Sequence, residues 1–104
     1  MILFEREILA EFMVGYTHYL DVGGRKPVSV YFPSDKKVHL KRMDSKVVTG
    51  KMAIKDVGCS VCWHDGSNDN YNLAEHLGAF IYLDADGKSA GTITKIVPGN
   101  PEFF

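Results

Sequence analysis

The feature that most constrains the fold is a series of short β-type segments between residues 28 and 63. Segments 28–32, 37–43, 46–54 and 57–63 alternate apolar and polar residues or carry several β-branched residues, and turn-forming residues separate them. Parallel neighbours need a long crossover between strands, and these connections are too short to provide one. The sequence therefore predicts four consecutive antiparallel strands.

Two further elements are predicted towards the C-terminal side. Residues 79–84 and 89–97 flank the sequence "ADGK", in which Asp-Gly suits a tight turn with positive φ, and they predict a β-hairpin. Residues 71–77, "YNLAEHL", have the apolar spacing of one or two helical turns, and Gly78 stands where a helix commonly ends. We therefore expect a short helix before the last hairpin.

The N-terminal segment is predicted to be an amphipathic helix. Apolar residues recur at spacings of three and four from Phe4 to Leu20, and acidic residues lie near the start, where they stabilise a helix. From Val14 onward the segment contains poor helix formers. An extended second half is therefore the alternative.

Together these elements predict an α+β fold, in which the N-terminal helix packs on an antiparallel sheet of about five or six strands. The chain has 104 residues, of which 45% are hydrophobic, so it is long enough to build a core of its own. We expect a single domain over residues 1–104.

Charge is distributed unevenly along the chain, although the formal net charge is only −1. Residues 25–55 contain nine Lys and Arg residues against two acidic residues, Asp35 and Asp44, whereas both flanking segments are acidic overall. Such segregation concerns partners and their orientation more than it concerns the fold.

Lysines alternate with apolar residues in the predicted strands of this basic segment. Lys37, His39 and Lys41 share one strand face, and Lys51 occupies the polar face of the next predicted strand. If these strands pair, their outer faces form one basic surface that suits an acidic protein surface or nucleic-acid phosphates. The predicted partner-binding residues are Arg25, Lys26, Lys36, Lys37, His39, Lys41, Lys51 and Lys55.

The stretch "GCSVCWHDG", residues 58–66, contains both cysteines and the only tryptophan of the chain. In a strand, residues three apart lie on opposite faces with Cα atoms about 10 Å apart, which is beyond the reach of a disulfide. Cys59 and Trp63 are then expected on the core face, and Cys62 and His64 on the other face. The strand interpretation therefore separates the two cysteines.

Two alternatives for this stretch stay open. If it is a tight loop, Cys59, Cys62, His64 and His76 supply the residue types of a zinc site. Cys62, His64 and Asp65 supply the types of a thiol nucleophile, a base and an orienting acid. In a strand, Cβ atoms two residues apart are separated by about 6.5 Å, which does not favour a direct hydrogen bond between Cys62 and His64.

The sequence contains no motif that predicts a cofactor. "GKSAGT" lacks the upstream glycine of a phosphate-binding loop, and "DADGK" lacks the glycine and glutamate positions of a calcium loop. No apolar run reaches the length of a membrane-spanning helix. We therefore expect no cofactor, no membrane association and a cytoplasmic location.

The function expected from these observations is that of a small, non-enzymatic intracellular protein that binds another macromolecule, as inhibitor and immunity proteins do. An acidic protein surface is the expected partner. One alternative is a nucleic-acid-binding module that uses residues 25–55. The other is a small thiol or zinc protein that uses Cys59, Cys62 and His64.

Overall fold

The computed structural model describes residues 1–24, 27–42 and 46–102. Within these residues lie one helix, α1 (Arg6–Met13), and nine strands. The strands are β1 (Ile2–Leu3), β2 (Tyr16–Asp21), β3 (Val28–Ser34), β4 (Lys37–Arg42), β5 (Val48–Ile54), β6 (Cys59–Trp63), β7 (Asn68–His76), β8 (Ala79–Leu83) and β9 (Ser89–Pro98).

Strands β2 to β9 form a closed antiparallel barrel. Each strand pairs with the next along the chain, and β9 pairs back to β2 in a register that places Thr17 opposite Val97. Strand β1 lies outside this ring and pairs with β7. Closure gives each of the eight strands a hydrogen-bonded neighbour on both sides, so the ring has no open edge.

The α+β prediction is therefore wrong. The described residues form an eight-stranded barrel with one further strand and one short helix, not a sheet of five or six strands with two helices. Residues 71–76 of the predicted helix belong to β7, where Tyr71 and Leu73 pack in the core two residues apart, and Leu77 lies in the turn that follows. Tyr71 pairs with β6, residues 72–76 pair with β8, and Ala74 and Glu75 also pair with β1. These ladder hydrogen bonds outweigh the weak helical preference of so short a segment.

The predicted meander and the predicted last hairpin are confirmed. Strands β3, β4, β5 and β6 pair in chain order, each antiparallel to the next. Strands β8 and β9 form the hairpin, and the amide of Gly87 donates to the carbonyl of Asp84 in the turn between them. Strict alternation and short connections are local signals, and they are sufficient for these elements.

The N-terminal helix is shorter than predicted and ends at Met13. Val14 has an extended backbone, and Gly15 adopts a φ of 82°, in the left-handed region that favours glycine. The Gly15 amide then donates to the carbonyl of Phe32 at 2.8 Å and directs the chain into β2. The helix prediction is wrong beyond Met13, and its alternative, an extended second half, is correct.

Helix α1 closes one end of the barrel. Leu9 and Met13 are fully buried, and the amide of Arg6 donates at 3.0 Å to the carbonyl of Asp56, in the connection between β5 and β6. The bond between Gly15 and Phe32 lies at this same end, where β2 begins and β3 approaches its last residue. The connections β2–β3, β4–β5, β6–β7 and β8–β9 lie at the opposite end.

His18 joins α1 to the barrel wall and is fully buried. Its Nε2 donates to the carbonyl oxygen of Phe12 at 2.8 Å, and its Nδ1 accepts from the Tyr82 hydroxyl at 2.6 Å. The tautomer follows from the Phe12 carbonyl, because that oxygen can only accept a hydrogen bond. Burial lowers the pKa of His18 to about 4, partly opposed by the hydrogen bond to Phe12, so the imidazole is neutral near pH 7.

Candidate ligand cavity and outer basic groove

An apolar cavity of about 120 Å³ lies inside the barrel. Its wall is formed by inward-facing strand residues such as Val30, Val38 and Val61, and Met13 of α1 contributes at the closed end. Inward side chains of a small barrel usually fill its interior. Here they leave a space well above the roughly 15 Å³ that one water molecule needs.

The cavity adjoins a second pocket at the barrel end opposite α1. Arg42, Trp63 and Tyr71 line the cavity, and together with Leu40 they also line this second space, which measures about 270 Å³. We call the second space the rim pocket; its polar side chains include Arg42, Trp63, Asp69 and Tyr71. The apolar interior therefore meets a polar surface at this end.

Asp69 holds the two aromatic side chains of the rim pocket. The indole Nε1 of Trp63 donates to Asp69 Oδ2 at 2.7 Å, and the Tyr71 hydroxyl donates to the same carboxylate. Burial raises the pKa of Tyr71 to about 12, and the negative charge of Asp69 adds to the effect. Tyr71 is therefore a neutral hydroxyl at physiological pH, and both rings are fixed beside the cavity.

Arg42 is the cation of the rim pocket. Its positive charge lowers the pKa of Tyr71 and so opposes the larger effects of burial and Asp69. Its guanidinium makes no hydrogen bond or ion pair with the residues that the structure describes, and the residue is exposed. The guanidinium of Arg42 is therefore accessible from the rim pocket.

Arg42 is absent from the residues predicted to bind a partner, although a signal was present in the sequence. Alternation along β4 places it on the same face as Val38 and Leu40, which is the core face. A charged residue that ends a series of inward-facing residues is expected to lie at the open end of a barrel. The position of Arg42 on the core face indicates this location only when the sheet is known to close into a barrel.

A shallow groove of about 570 Å³ lies on the outside of the barrel, across β4, β5 and β6. We call it the outer basic groove; the side chains that define it are those of Lys37, His39, Thr49, Lys51, Cys62 and His64. Lys37 is the register partner of Lys51, and Lys51 in turn lies opposite Cys62. The predicted pairing of the two basic strands is thus confirmed.

The other residues of the predicted partner-binding set lie around this groove or beyond the described residues. Lys41 faces outward opposite Ser29 of β3, and Lys36 lies in the turn before β4. Lys55 follows β5 near the barrel end that α1 closes. Arg25 and Lys26 fall outside the described residues. That these side chains bind a partner stays a prediction.

His39 has a mixed environment in the groove. Its ring packs edge-on against Tyr31 with the centroids 6.1 Å apart. Its Nδ1 atom is buried and has no hydrogen-bond partner among the residues that the structure describes. His39 therefore carries a polar atom that the described part of the fold leaves unsatisfied.

The two cysteines lie on opposite faces of β6, as strand alternation predicts. Cys59 is buried inside the barrel, and burial raises the pKa of its thiol to about 11, partly opposed by the positive charge of Lys55. Cys62 is exposed in the outer basic groove. Both thiols are free, and the structure does not bring them together.

The residues of the predicted zinc site are dispersed. His64 follows β6 at one end of the barrel, whereas His76 is the last residue of β7, at the end that α1 closes. Within residues 1–24, 27–42 and 46–102, no three His, Cys, Asp or Glu side chains form a group suited to a metal ion. Residues 59–63 are a strand, so the condition for the zinc alternative, a tight loop, is not met.

The structure shows only part of the arrangement that catalysis by Cys62, His64 and Asp65 would need. Cys62 and His64 line the same groove, but no hydrogen bond between them is present among the described contacts. The Asp65 carboxylate accepts from the Ser67 amide at 2.9 Å and from the Ser67 hydroxyl at 2.6 Å. These two bonds lower the pKa of Asp65 and fix it as part of the β6–β7 turn.

The described residues include no helix that is long and apolar enough to span a membrane. The chain matches no protein-family model, and comparisons with curated proteins and with solved structures find no significant match.

Proposed function

We propose that this protein binds a small, largely apolar molecule inside its barrel. The observation that carries the proposal is the apolar cavity, which has α1 at one end and the rim pocket at the other. Eight-stranded barrels have interiors that either are filled by side chains or hold one small ligand. A remaining cavity that adjoins a surface pocket favours the second case.

The size of the cavity limits the ligand. A cavity of about 120 Å³ is close to the volume that accommodates one benzene ring, so about six to eight non-hydrogen atoms fit inside. For a ligand of this size with good apolar contacts, we expect a dissociation constant on the order of 0.1 mM. A larger ligand would extend into the rim pocket and bind more tightly.

The rim pocket selects the orientation of the ligand. The apolar part of the ligand enters the cavity without displacing a hydrogen-bonded side chain. A polar group at the other end of the ligand can accept a hydrogen bond from the guanidinium of Arg42. Trp63 and Tyr71 are held by Asp69 and present fixed aromatic surfaces to the ligand. The expected ligand is therefore amphipathic, with its hydrogen-bonding group at the barrel end.

Trp63 provides the test, since it is the only tryptophan of the chain and lines the cavity. Benzyl alcohol should change its fluorescence in a saturable way, whereas myo-inositol, a polar ring of similar size, should not. Ala90 lines the cavity, so Ala90→Leu should abolish the response to benzyl alcohol. Ala53 is exposed on β5, and Ala53→Leu is the matched control that should bind normally.

Two results would contradict the proposal. One is a linear, unsaturated fluorescence response of the unsubstituted protein to benzyl alcohol. The other is an Ala90→Leu variant that unfolds at the same temperature as the Ala53→Leu variant and binds equally well. Thermal unfolding of both variants separates loss of binding from loss of folding.

The zinc alternative gains no support from the geometry, because β6 separates Cys59 from Cys62. The thiol alternative gains none either, because the described contacts include no hydrogen bond between Cys62 and His64, and Asp65 is bonded to Ser67. The expectation of a macromolecular partner concerns a different surface of the molecule, the outer basic groove.

A further inference from the structure

We propose that the outer basic groove is a docking surface for an extended acidic segment of a protein partner. This inference concerns the outside of the barrel and is independent of the interior cavity.

The charge of the groove is the first argument. Lys37 and Lys51 are direct register partners, and like charges placed opposite each other on one sheet face repel. No acidic residue lines the groove, and neither lysine lies within ion-pair distance of a carboxylate among the described residues. The fold thus keeps Lys37 and Lys51 close together, and a bound carboxylate would reduce the repulsion between their positive charges.

The spacing of the groove side chains is the second argument. Lys37, His39 and Lys41 occupy alternate positions of β4, so they project from the same face about 6.6 Å apart. An extended peptide presents its own alternate side chains at the same spacing. Carboxylates at every second position of such a segment can therefore face successive basic side chains, with Thr49 available as a hydrogen-bond donor.

A protein partner fits this surface better than a nucleic acid does. Single-stranded nucleic acids bind to sheets through aromatic side chains on which bases stack. Trp63 lines the groove, but its indole is held by Asp69 and also lines the cavity and the rim pocket. Tyr31, at an outward position of β3, is half-buried and packed edge-on against His39.

The acidic flanks of the sequence add selectivity for one face. Segments before residue 25 and after residue 55 are acidic overall, so an acidic partner is repelled by the surfaces they supply. The lysines of the groove attract such a partner instead, which orients its approach.

The test uses three fluorescein-labelled probes at low ionic strength. The first is a ten-residue peptide of alternating Glu and Thr, the second replaces each Glu by Gln, and the third is hexathymidylate, which matches the peptide in charge. Fluorescence anisotropy of the unsubstituted protein should detect the acidic peptide and show little binding of the other two. Binding should weaken as salt is added.

Matched double variants locate the binding. Lys37→Gln with Lys51→Gln should weaken binding of the acidic peptide by about tenfold. Lys88→Gln with Lys95→Gln removes the same charge from β9 and the turn before it, and should change binding less than about twofold. Circular dichroism checks that both variants keep the native spectrum.

Each remaining outcome overturns the proposal. Equal losses in the two double variants would mean unspecific attraction by net charge. Tighter binding of hexathymidylate than of the acidic peptide would mean that the occupant is a nucleic acid. No binding of the acidic peptide at low salt would leave the groove without the proposed role. The Ala90→Leu variant, in which only the interior is blocked, should bind this peptide as the unsubstituted protein does, and a loss of binding in a folded Ala90→Leu variant would also contradict the proposal.

Discussion

The Tyr82 hydroxyl donates a hydrogen bond of 2.6 Å to Nδ1 of His18, across 64 positions of sequence and inside a fully buried environment. The other imidazole nitrogen of His18 donates to Phe12 in the last turn of α1. One side chain therefore connects the helix, β2 and β8, and its two hydrogen bonds satisfy both ring nitrogens. The stability of the closed barrel end should depend on this connection.

Tyr82→Phe should lower the free energy of unfolding by about 1–2 kcal/mol, because it leaves the buried Nδ1 of His18 without a donor. The ring packing against His18, with centroids 5.9 Å apart, is retained in this variant. Urea denaturation measures the difference. Tyr16→Phe, at an exposed position, is the control and should change stability by less than about 0.5 kcal/mol. Equal effects of the two substitutions would show that the hydrogen bond contributes nothing.

Stability should decrease as the pH falls from about 6.5 to about 4. The unfolded chain takes up a proton at His18 near its ordinary pKa of 6.5, whereas burial lowers the pKa in the folded protein to about 4. Between these values the unfolded state binds more protons, so the contribution of His18 to the free energy of unfolding falls by about 3 kcal/mol and then levels off below pH 4. Urea denaturation at several pH values measures the slope.

His18→Gln is the control for this pH dependence, because glutamine keeps a donor and an acceptor but does not titrate. The slope between pH 4 and 6.5 should be smaller in the variant by the contribution of one proton. An unchanged slope would assign the pH dependence to other groups.

Leu77→Asn should stabilise the protein by about 0.5–1 kcal/mol. Leu77 and Gly78 form the two-residue turn between β7 and β8, and both have positive φ, 52° and 79°. Asparagine tolerates this conformation better than leucine, and the Leu77 side chain is 92% exposed, so it contributes no core packing. Thermal unfolding tests the gain. Leu77→Ala should show none, since alanine keeps the backbone strain.

Gly58→Ala should destabilise the protein by about 3 kcal/mol or more. Gly58 has a φ of 77°, and a Cβ there would clash with the carbonyl oxygen of Tyr71 and the side chain of Asn72. Gly66→Ala is the matched control, because Gly66 has a φ of 89° with open space around it. It should cost only about 1 kcal/mol, the penalty of the backbone conformation. Similar losses in chemical denaturation would exclude the clash as the cause.

Cys62 should react with iodoacetamide in the folded protein, and Cys59 should not. Cys62 is exposed, whereas Cys59 is buried and burial raises the pKa of its thiol to about 11, which suppresses the reactive thiolate. Both cysteines lie in the tryptic peptide of residues 56–88, so fragment ions in tandem mass spectrometry distinguish the two sites. Both should be modified in urea, and equal rates without urea would contradict the placement of Cys59 in the barrel interior.

The sequence predicts those parts of the fold that depend on contacts between neighbouring segments of the chain. Residues from Val28 to Trp63 alternate and turn at short intervals, and the predicted strand order holds throughout that region. The segment around Leu73 satisfies both a helical and a strand pattern, and only its position between β8 and β1 decides the outcome. Closure depends on β2 meeting β9, a contact between distant segments that no local pattern encodes.

The candidate sites divide in the same way. The outer basic groove follows from alternation, since Lys37 and Lys51 were expected on the outer face of neighbouring strands and are register partners. The cavity and the role of Arg42 at its rim exist only because the sheet closes. The bond between His18 and Tyr82 likewise joins elements that are neighbours only in the finished barrel.

The pairing of β2 with β9 also determines when the barrel can close during synthesis. Tyr16 near the start of the barrel is the register partner of Pro98 near its end, so the last ring contact joins segments made at opposite times during synthesis. Until β9 emerges from the ribosome, β2 and β8 each present an unpaired edge to other chains. The same closure that protects the finished barrel therefore leaves the nascent chain open to aggregation until β9 is in place.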